Sequence, residues 1–205
     1  VSFVIDQGAR AYVERIEIHG NGRTRDYVIR REFDIAEGDP YNKTLVDRAE
    51  RRLRNLNYFK SVKISNRPGS SPDRIVLDVE TIDQPTADFF ISGGYSTSDG
   101  ALVEVKLGER NLYGTGTSLQ STFTLGQYAR GANLAASEPY FLGTRIAAGI
   151  ELFGRLMDAI SYQSYGSTTY GARLLFGTPL TEELSVQWRY SIYNQNITLA
   201  PNANG

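Results

Sequence analysis

Apolar residues occupy every second position in seven segments of about ten residues that follow Pro85. The positions between them hold mostly Ser, Thr, Gly, Gln and Asn, with isolated charges. Successive side chains of a β-strand point to opposite faces, so this period of two predicts antiparallel strands with one apolar face and one polar face. We expect the first of these strands to span residues 87–96.

Two architectures are compatible with such strands: a soluble barrel or sandwich with the apolar face inside, and a transmembrane barrel with the apolar face outside. The polar face favours the transmembrane barrel, because it lacks the dense Lys and Glu of a solvated surface. Segments of about ten residues also match the length of a tilted strand that crosses a bilayer. The residues that we predict to face lipid include Phe89, Val105, Phe123, Ile150 and Trp188.

Aromatic residues near the expected strand ends favour the same interpretation, since Tyr and Trp collect at membrane interfaces. Seven strands cannot close in lipid, because both outer edges would leave backbone N–H and C=O groups unpaired. We therefore expect residues 86–205 to form the N-terminal portion of a larger barrel. The aromatic residues in question are Tyr95, Tyr113, Tyr128, Tyr140, Phe141 and Tyr193.

The N-terminal part of the chain is more charged, with 15 Lys and Arg and 13 Asp and Glu residues in positions 1–82, against 7 and 10 in the rest. Strand and helix patterns follow one another there in the order β-α-α-β-β, which predicts a small α+β domain over residues 10–83. Thr24 is the expected N-cap of the first helix and Asn42 that of the second. The predicted elements are strands at 12–19, 59–66 and 74–82, a helix at 25–34 and a helix after Asn42 whose apolar face carries Leu45, Ala49, Leu53 and Leu56.

The composition narrows the chemistry that the chain can carry out. A net charge of −1 provides no basic field for nucleic acid, and the absence of cysteine excludes disulfides and thiolate metal sites. His19 is the single histidine and lies at an expected strand end, so no catalytic triad or metal site can be completed around it. We therefore expect no enzymatic activity and no cofactor.

Short motifs mark several turns: Gly20-Asn21, Thr24, Glu37-Gly38-Asp39-x-Tyr41, Leu56-x-Tyr58-Phe59-x-x-Val62, Asn111-Leu112-Tyr113-Gly114-x-Gly116 and Glu138-Pro139-Tyr140-Phe141. The first four resemble those of a POTRA domain, the periplasmic repeat that precedes outer-membrane insertase barrels. The last two resemble the turns after the second and fourth barrel strands of the BamA-type family of outer-membrane assembly factors. The resemblance thus covers both parts of the chain.

This resemblance implies the membrane-proximal POTRA domain at residues 10–83, the end of a preceding POTRA domain at 1–9, and about seven of roughly sixteen barrel strands. It also implies insertion of other barrels into the bacterial outer membrane without nucleotide hydrolysis. The implied partners are nascent outer-membrane proteins, Bam-type lipoproteins such as BamD, periplasmic chaperones and outer-membrane lipid, with no nucleic acid. The alternatives are a TamA-like insertase, a two-partner secretion transporter and a passive porin.

The first predicted barrel strand has the features of a lateral gate. Phe90 interrupts its alternation, and the pair Gly93-Gly94 removes side-chain packing. A strand that pairs weakly with the last strand of the barrel can open and offer its edge to a client strand. An ordinary bend of the barrel is the alternative explanation for the glycine pair. The predicted gate residues are Phe89, Phe90, Ile91, Gly93, Gly94 and Tyr95.

A second candidate site lies in the N-terminal domain. The resemblance implies that the segment Arg30-Arg31-Glu32 in the first POTRA helix docks a lipoprotein of the BamD type. The alternative is that these three residues form an ordinary solvated helix face.

Overall fold

The computed structural model describes residues 10–97, 100–159, 164–181 and 184–199. The chain divides into two compact units. The first consists of Val1–Thr86 together with Tyr113–Thr115, and the second of Ala87–Leu112 and Gly116–Gly205. The predicted end of a preceding POTRA domain, at residues 1–9, lies outside the described residues. No helix in the described part of the chain is long and apolar enough to span a membrane.

The first unit is a three-stranded sheet with two helices, in the predicted order β-α-α-β-β. The strand order in the sheet is β1-β3-β2, with β1 parallel and β2 antiparallel to the central strand. The elements are β1 (Tyr12–His19), α1 (Asp26–Arg30), α2 (Lys43–Asn55), β2 (Phe59–Pro68) and β3 (Arg74–Asp83).

One hydrophobic core joins the helices to this sheet. Ala49 and Leu53 of α2 are fully buried, and Leu53 shares the core with Leu77 of β3. Leu45 and Leu56, which the pattern placed on the same face, are only partly buried against this core. Burial of a side chain such as leucine stabilises a fold by about 1.5–3 kcal/mol. The predicted cap of α2 is also present, since the Asn42 Oδ1 atom accepts the Thr44 N–H at 2.9 Å.

The first helix is shorter than the pattern predicted. It covers Asp26–Arg30 instead of 25–34, and its N-cap is Arg25 without a side-chain hydrogen bond, so the assignment of Thr24 as the cap was wrong. Thr24 is instead buried, with 2% of its surface exposed. The chain leaves the helix because Ile35 turns into the core and Asp34 pairs with Arg52 of α2 at 2.7 Å. Tertiary contacts therefore override the helical pattern here.

Gly20 is the glycine of the first unit that the fold constrains most tightly. Its φ is +84°, and a Cβ at this position would lie 1.9 Å from the Thr81 carbonyl oxygen. Gly38 has a similar φ of +97° but has no atom within 4 Å of such a Cβ. We expect Gly20→Ala to lower the free energy of unfolding by about 1–3 kcal/mol more than Gly38→Ala, because both carry backbone strain but only the first carries a clash. Hydrogen exchange of the β3 amides across a urea series measures the difference, and equal losses would contradict the clash.

The second unit is a seven-stranded antiparallel sheet in which each strand pairs with its neighbours in sequence. Its edges within the described residues are the first and the last of these strands. A short 3-10 turn, Phe141–Gly143, links the fourth and fifth. The strands are β4 (Ala87–Ser96), β5 (Gly100–Leu112), β6 (Thr117–Gly126), β7 (Ala129–Glu138), β8 (Ala147–Met157), β9 (Tyr165–Pro179) and β10 (Ser185–Leu199).

The pairing register places the predicted apolar positions on one face of this sheet. Ile91, Val105 and Phe123 lie opposite one another on β4, β5 and β6. The same face carries Ile150 opposite Leu174, and Trp188 opposite Phe176. Because facing residues of neighbouring strands lie on the same side, one continuous apolar surface results.

Three residues depart from the pattern along the chain. Ile146 and Leu184 continue the period of two of the strands that follow them, but each lies one residue before its strand, β8 or β10. Tyr193 lies in the interior of β10 opposite Gly171, on the polar face, so its placement at a strand end was wrong. The pattern failed there because β10 continues to Leu199, beyond the segment that alternates strictly.

The turn between β5 and β6 explains the spacing of the motif Asn111-Leu112-Tyr113-Gly114-x-Gly116. The Asn111 Oδ1 atom accepts the Gly116 N–H at 2.8 Å. Gly114 and Gly116 have φ angles of +72° and +82°, which favour glycine. The motif is therefore a tight turn stabilised by its own asparagine side chain.

Candidate functional site

The predicted gate residues all lie on β4, at an edge of the second sheet. Ten consecutive residues of β4 pair with β5, from Ala87 opposite Glu109 to Ser96 opposite Gly100. Among the described residues no strand pairs with the other side of β4. The Phe89 side chain is 60% exposed on the face of the sheet. Within the described residues, β4 is therefore paired along one edge only.

The two faces of β4 differ in character. Phe89 and Ile91 lie on the apolar face, opposite Leu107 and Val105. Phe90 lies on the other face opposite Lys106, so it is an aromatic side chain on the polar side of the sheet. The interruption of the alternation thus places an apolar group on the polar face without breaking the register.

The glycine pair of β4 is not required by close packing. A Cβ at Gly94 would have no atom within 4 Å, and one at Gly93 would lie 3.7 Å from the Leu102 carbonyl oxygen, an ordinary contact. Side chains would therefore fit at both positions. What the glycines contribute is backbone freedom and the loss of cross-strand side-chain contacts, both of which weaken a strand.

An ion pair links the side chains of β4 and β5. Asp88 pairs with Arg110 at 3.2 Å, and both side chains are about two-fifths exposed, at 39% and 40%. An exposed ion pair of this kind stabilises by about 0.2–1 kcal/mol. The backbone ladder between β4 and β5 runs along all ten residues of β4.

At the other end of the same sheet, away from β4, a network of side-chain hydrogen bonds links four strands, β7 to β10. Asn133 of β7 donates to the Glu151 carboxylate of β8, which also accepts from Arg173 of β9. Arg173 in turn donates to the Ser191 hydroxyl of β10 at 3.3 Å. Its guanidinium lies 4.9 Å from the centroid of the Phe153 ring. Partly buried networks of this kind hold their strands more firmly than an exposed pair, so β7–β10 are better braced than β4.

The candidate docking segment does not form one exposed patch. Glu32 lies beyond the end of α1 and has only 4% of its surface exposed, and the Arg31 side chain is 13% exposed. The alternative explanation, an ordinary solvated helix face, therefore does not describe Glu32. Arg30 is more open, but it donates to the Ile16 carbonyl at 2.9 Å and pairs with Glu37. Docking through Arg30, Arg31 and Glu32 remains a prediction.

We next consider the residues of the described part of the chain that could bind a metal ion or titrate. It contains no group of three or more His, Cys, Asp or Glu residues arranged to hold a metal ion. His19 lies at the end of β1 with its side chain 60% exposed, 3.6 Å from Asp78. In the first unit, Glu14 has a lowered pKa because its carboxylate accepts hydrogen bonds from Ser70 in a loop.

Glu14 anchors the loop between β2 and β3, and its pKa provides a test. The Ser70 N–H and hydroxyl donate to its carboxylate at 2.7 and 2.9 Å, and these bonds hold the pKa of Glu14 below its ordinary value. The anchor is therefore fully present above the unfolded pKa of about 4.3 and is lost as the pH falls through the lower folded pKa. We expect an acid titration of the Ser70 amide shift, measured by NMR, that Glu14→Gln abolishes.

Glu80→Gln, an exchange of an exposed glutamate on β3, is the matched control for this titration. It should leave the Ser70 amide shift and its acid transition as in the wild type. A transition that persisted in Glu14→Gln would mean that another group anchors the loop.

Two family models match the chain in the order of its two units. The POTRA model, described as a surface antigen variable number repeat, matches residues 11–81. The Omp85 superfamily domain model matches residues 111–204. The chain therefore carries the two domains of the Omp85 class, a POTRA domain followed by an Omp85 superfamily domain.

Within this class, the chain is similar to BamA-type outer-membrane protein assembly factors. It is 30% identical to BamA of Neisseria meningitidis over 189 residues, which cover 89% of this chain and 24% of that protein. It is also 30% identical to BamA of Nitratidesulfovibrio vulgaris over 196 residues, or 94% of this chain and 24% of that protein. The chain thus spans about a quarter of the length of these relatives.

A solved structure shows the same relationship in three dimensions. BamA from Haemophilus ducreyi lacking POTRA domains 1–3 matches with a TM-score of 0.80 at 25% sequence identity. The match covers 94% of this chain and 37% of that one. The seven antiparallel strands correspond to part of the BamA barrel, and the first unit corresponds to a POTRA domain.

Proposed function

We propose that the protein containing this chain is the central insertase of an outer-membrane β-barrel assembly machinery. The observation that carries this proposal is the similarity to BamA-type assembly factors, which extends through both units of the chain. The clients are nascent outer-membrane proteins. The POTRA domain lies in the periplasm, where chaperones and BamD-type lipoproteins meet it, and the barrel lies in the outer membrane.

The insertion mechanism uses the free edge of β4. In the complete barrel this strand meets the last strand, and the weak seam between them opens as a lateral gate. An incoming client strand then pairs with the β4 backbone, which supplies the N–H and C=O partners that a strand lacks in lipid. The exposed edge, the two glycines and the solvent-exposed ion pair to β5 support this assignment. Strand exchange of this kind needs neither a cofactor nor nucleotide hydrolysis.

Reconstitution of the full-length protein in liposomes tests the proposal. An unfolded outer-membrane client is added without nucleotide, and its folding is followed by the mobility shift of folded barrels on gels. We expect faster client folding than in empty liposomes. Efficient ion conductance without any gain in client folding would favour a porin. Release of an unfolded client into the liposome lumen would favour a secretion transporter.

A further inference from the structure

The outer edge of β1 is covered along its first part by the chain that links the two helices. The Val13 N–H donates to the Asp39 carbonyl at 2.9 Å, and the Gly38 N–H donates to the Val13 carbonyl at 2.7 Å. The Tyr41 N–H donates to the Ala11 carbonyl at 2.8 Å. These backbone bonds occupy the positions that an added strand would need, so strand addition is blocked there.

Further along the same edge, two side chains, and no longer the backbone of the linking chain, form the hydrogen bonds to β1. The Glu37 Oε1 atom accepts the Ile16 N–H at 3.1 Å, and the Arg30 Nη2 atom donates to the Ile16 carbonyl at 2.9 Å. Arg30 and Glu37 also pair with each other at 3.3 Å. We refer to Arg30 and Glu37 together as the edge clasp. It satisfies both backbone groups of one residue, which is what a neighbouring strand would otherwise do.

The other edge of this sheet has no equivalent of the clasp within the described residues. On β2, the Val62 carbonyl accepts from the Arg54 Nη2 atom at 2.9 Å, and Arg54 pairs with Glu50 on α2. This arrangement caps an acceptor, whereas the edge clasp caps a donor and an acceptor together. The two edges of the POTRA sheet are therefore closed to different degrees.

We infer that Arg30 and Glu37 are specificity-determining residues that keep the β1 edge closed to extended β-prone segments. An open edge is a template for any such segment, and unfolded barrel proteins consist of them. Closure of β1 prevents client strands or a second copy of this chain from being trapped beside Ile16. The link to clients rests on the proposed function, whereas the closure of the edge does not.

Arg30 and Glu37 can be substituted without disturbing the core, because their side chains are half exposed, at 43% and 50%. Arg30→Ala/Glu37→Ala removes the edge bonds and the ion pair. The exchange Arg30→Glu/Glu37→Arg retains opposite charges but reverses donor and acceptor, so neither side chain can bond its Ile16 partner. Arg54→Ala/Glu50→Ala removes a matched pair from α2 and leaves β1 untouched.

The probe is a synthetic peptide with the sequence of β6, Thr117–Gly126, which has the alternating pattern of a barrel strand. Hydrogen exchange of the full chain in detergent micelles is followed with and without this peptide, together with sedimentation for self-association. In both clasp variants we expect the peptide to slow exchange of the Ile16 and Ile18 amides about tenfold, the size of one net hydrogen bond. The wild type and the α2 variant should show no such change on β1.

Protection of the Leu77 amide in the central strand β3 identifies any variant that fails to fold. In folded variants, unchanged exchange at Ile16 and Ile18 with peptide, and no added self-association, would overturn the inference. Wild-type behaviour of the charge-reversed pair would also overturn it, because the ion pair and not the edge bonds would then matter. Peptide capture by the clasp variants combined with no client folding by the wild type would contradict the proposed function alone.

Discussion

Locking β4 to the last strand of the complete barrel is expected to abolish client insertion while the barrel stays folded. A cysteine introduced at Ile91, paired with a cysteine on the facing strand, would form this lock when oxidised. Ile91 lies in the middle of the ten-residue ladder with β5, so the lock closes the edge where a client strand would pair. The measurement is client folding in liposomes by oxidised and reduced protein. Reduction should restore insertion.

A cross-link elsewhere in the sheet is the matched control for the lock. Leu134 and Leu152 face each other on β7 and β8, within the braced part of the sheet. A Leu134→Cys/Leu152→Cys pair should therefore leave insertion unchanged when oxidised. Full insertion by a completely cross-linked gate would rule out lateral opening, and the activity would then have to reside in the POTRA domain or in thinning of the bilayer.

Arginine on the apolar face of the barrel is expected to destabilise it far more than arginine on the polar face. Phe123 lies in the apolar row with Val105 and Ala132, whereas its neighbour Thr124 lies on the polar face opposite Glu104. An arginine at the bilayer midplane costs about 2–4 kcal/mol on the lipid side. We therefore expect Phe123→Arg to lower the free energy of unfolding by about this amount, and Thr124→Arg by much less.

Urea unfolding of the full-length protein in lipid vesicles measures both substitutions. Phe123→Ala separates the cost of the buried charge from the loss of the phenyl ring. Equal tolerance of arginine at Phe123 and Thr124 would contradict the assignment of the apolar face to lipid. It would favour the soluble architecture, in which the same face is packed inside.

Local patterns were sufficient for most elements because strands and caps follow short-range rules. The period of two predicted β4 at residues 87–96, and the structure has it at Ala87–Ser96. Asn42 capped α2 as predicted, since its side chain bonds to an amide only two residues ahead. The first helix was predicted too long because Asp34 and Ile35 are held by α2 and by the core, which lie far away in sequence.

The candidate sites show the same division. The strand that carries the proposed gate residues could be predicted because its pattern is continuous, and its edge position follows from the order of the strands. Its role as a gate stays a prediction. The burial of Glu32 could not be predicted from the sequence. A helical pattern places Glu32 on an exposed helix face, but the helix ends at Arg30 and Glu32 is buried. The edge clasp was also missed. Arg30 bonds to a residue fourteen positions earlier, and Glu37 to one twenty-one positions earlier.

By itself the sequence determined the two-part organisation, the sidedness of the strands and the absence of thiol chemistry, because composition and period are properties of neighbouring residues. Only the tertiary structure decided which side chains meet across strands. Asn133, Glu151 and Arg173 lie 18 and 22 residues apart and meet because the register of β7, β8 and β9 aligns them. A shift of one residue would move each side chain to the opposite face, so register, which long-range pairing sets, decides such networks.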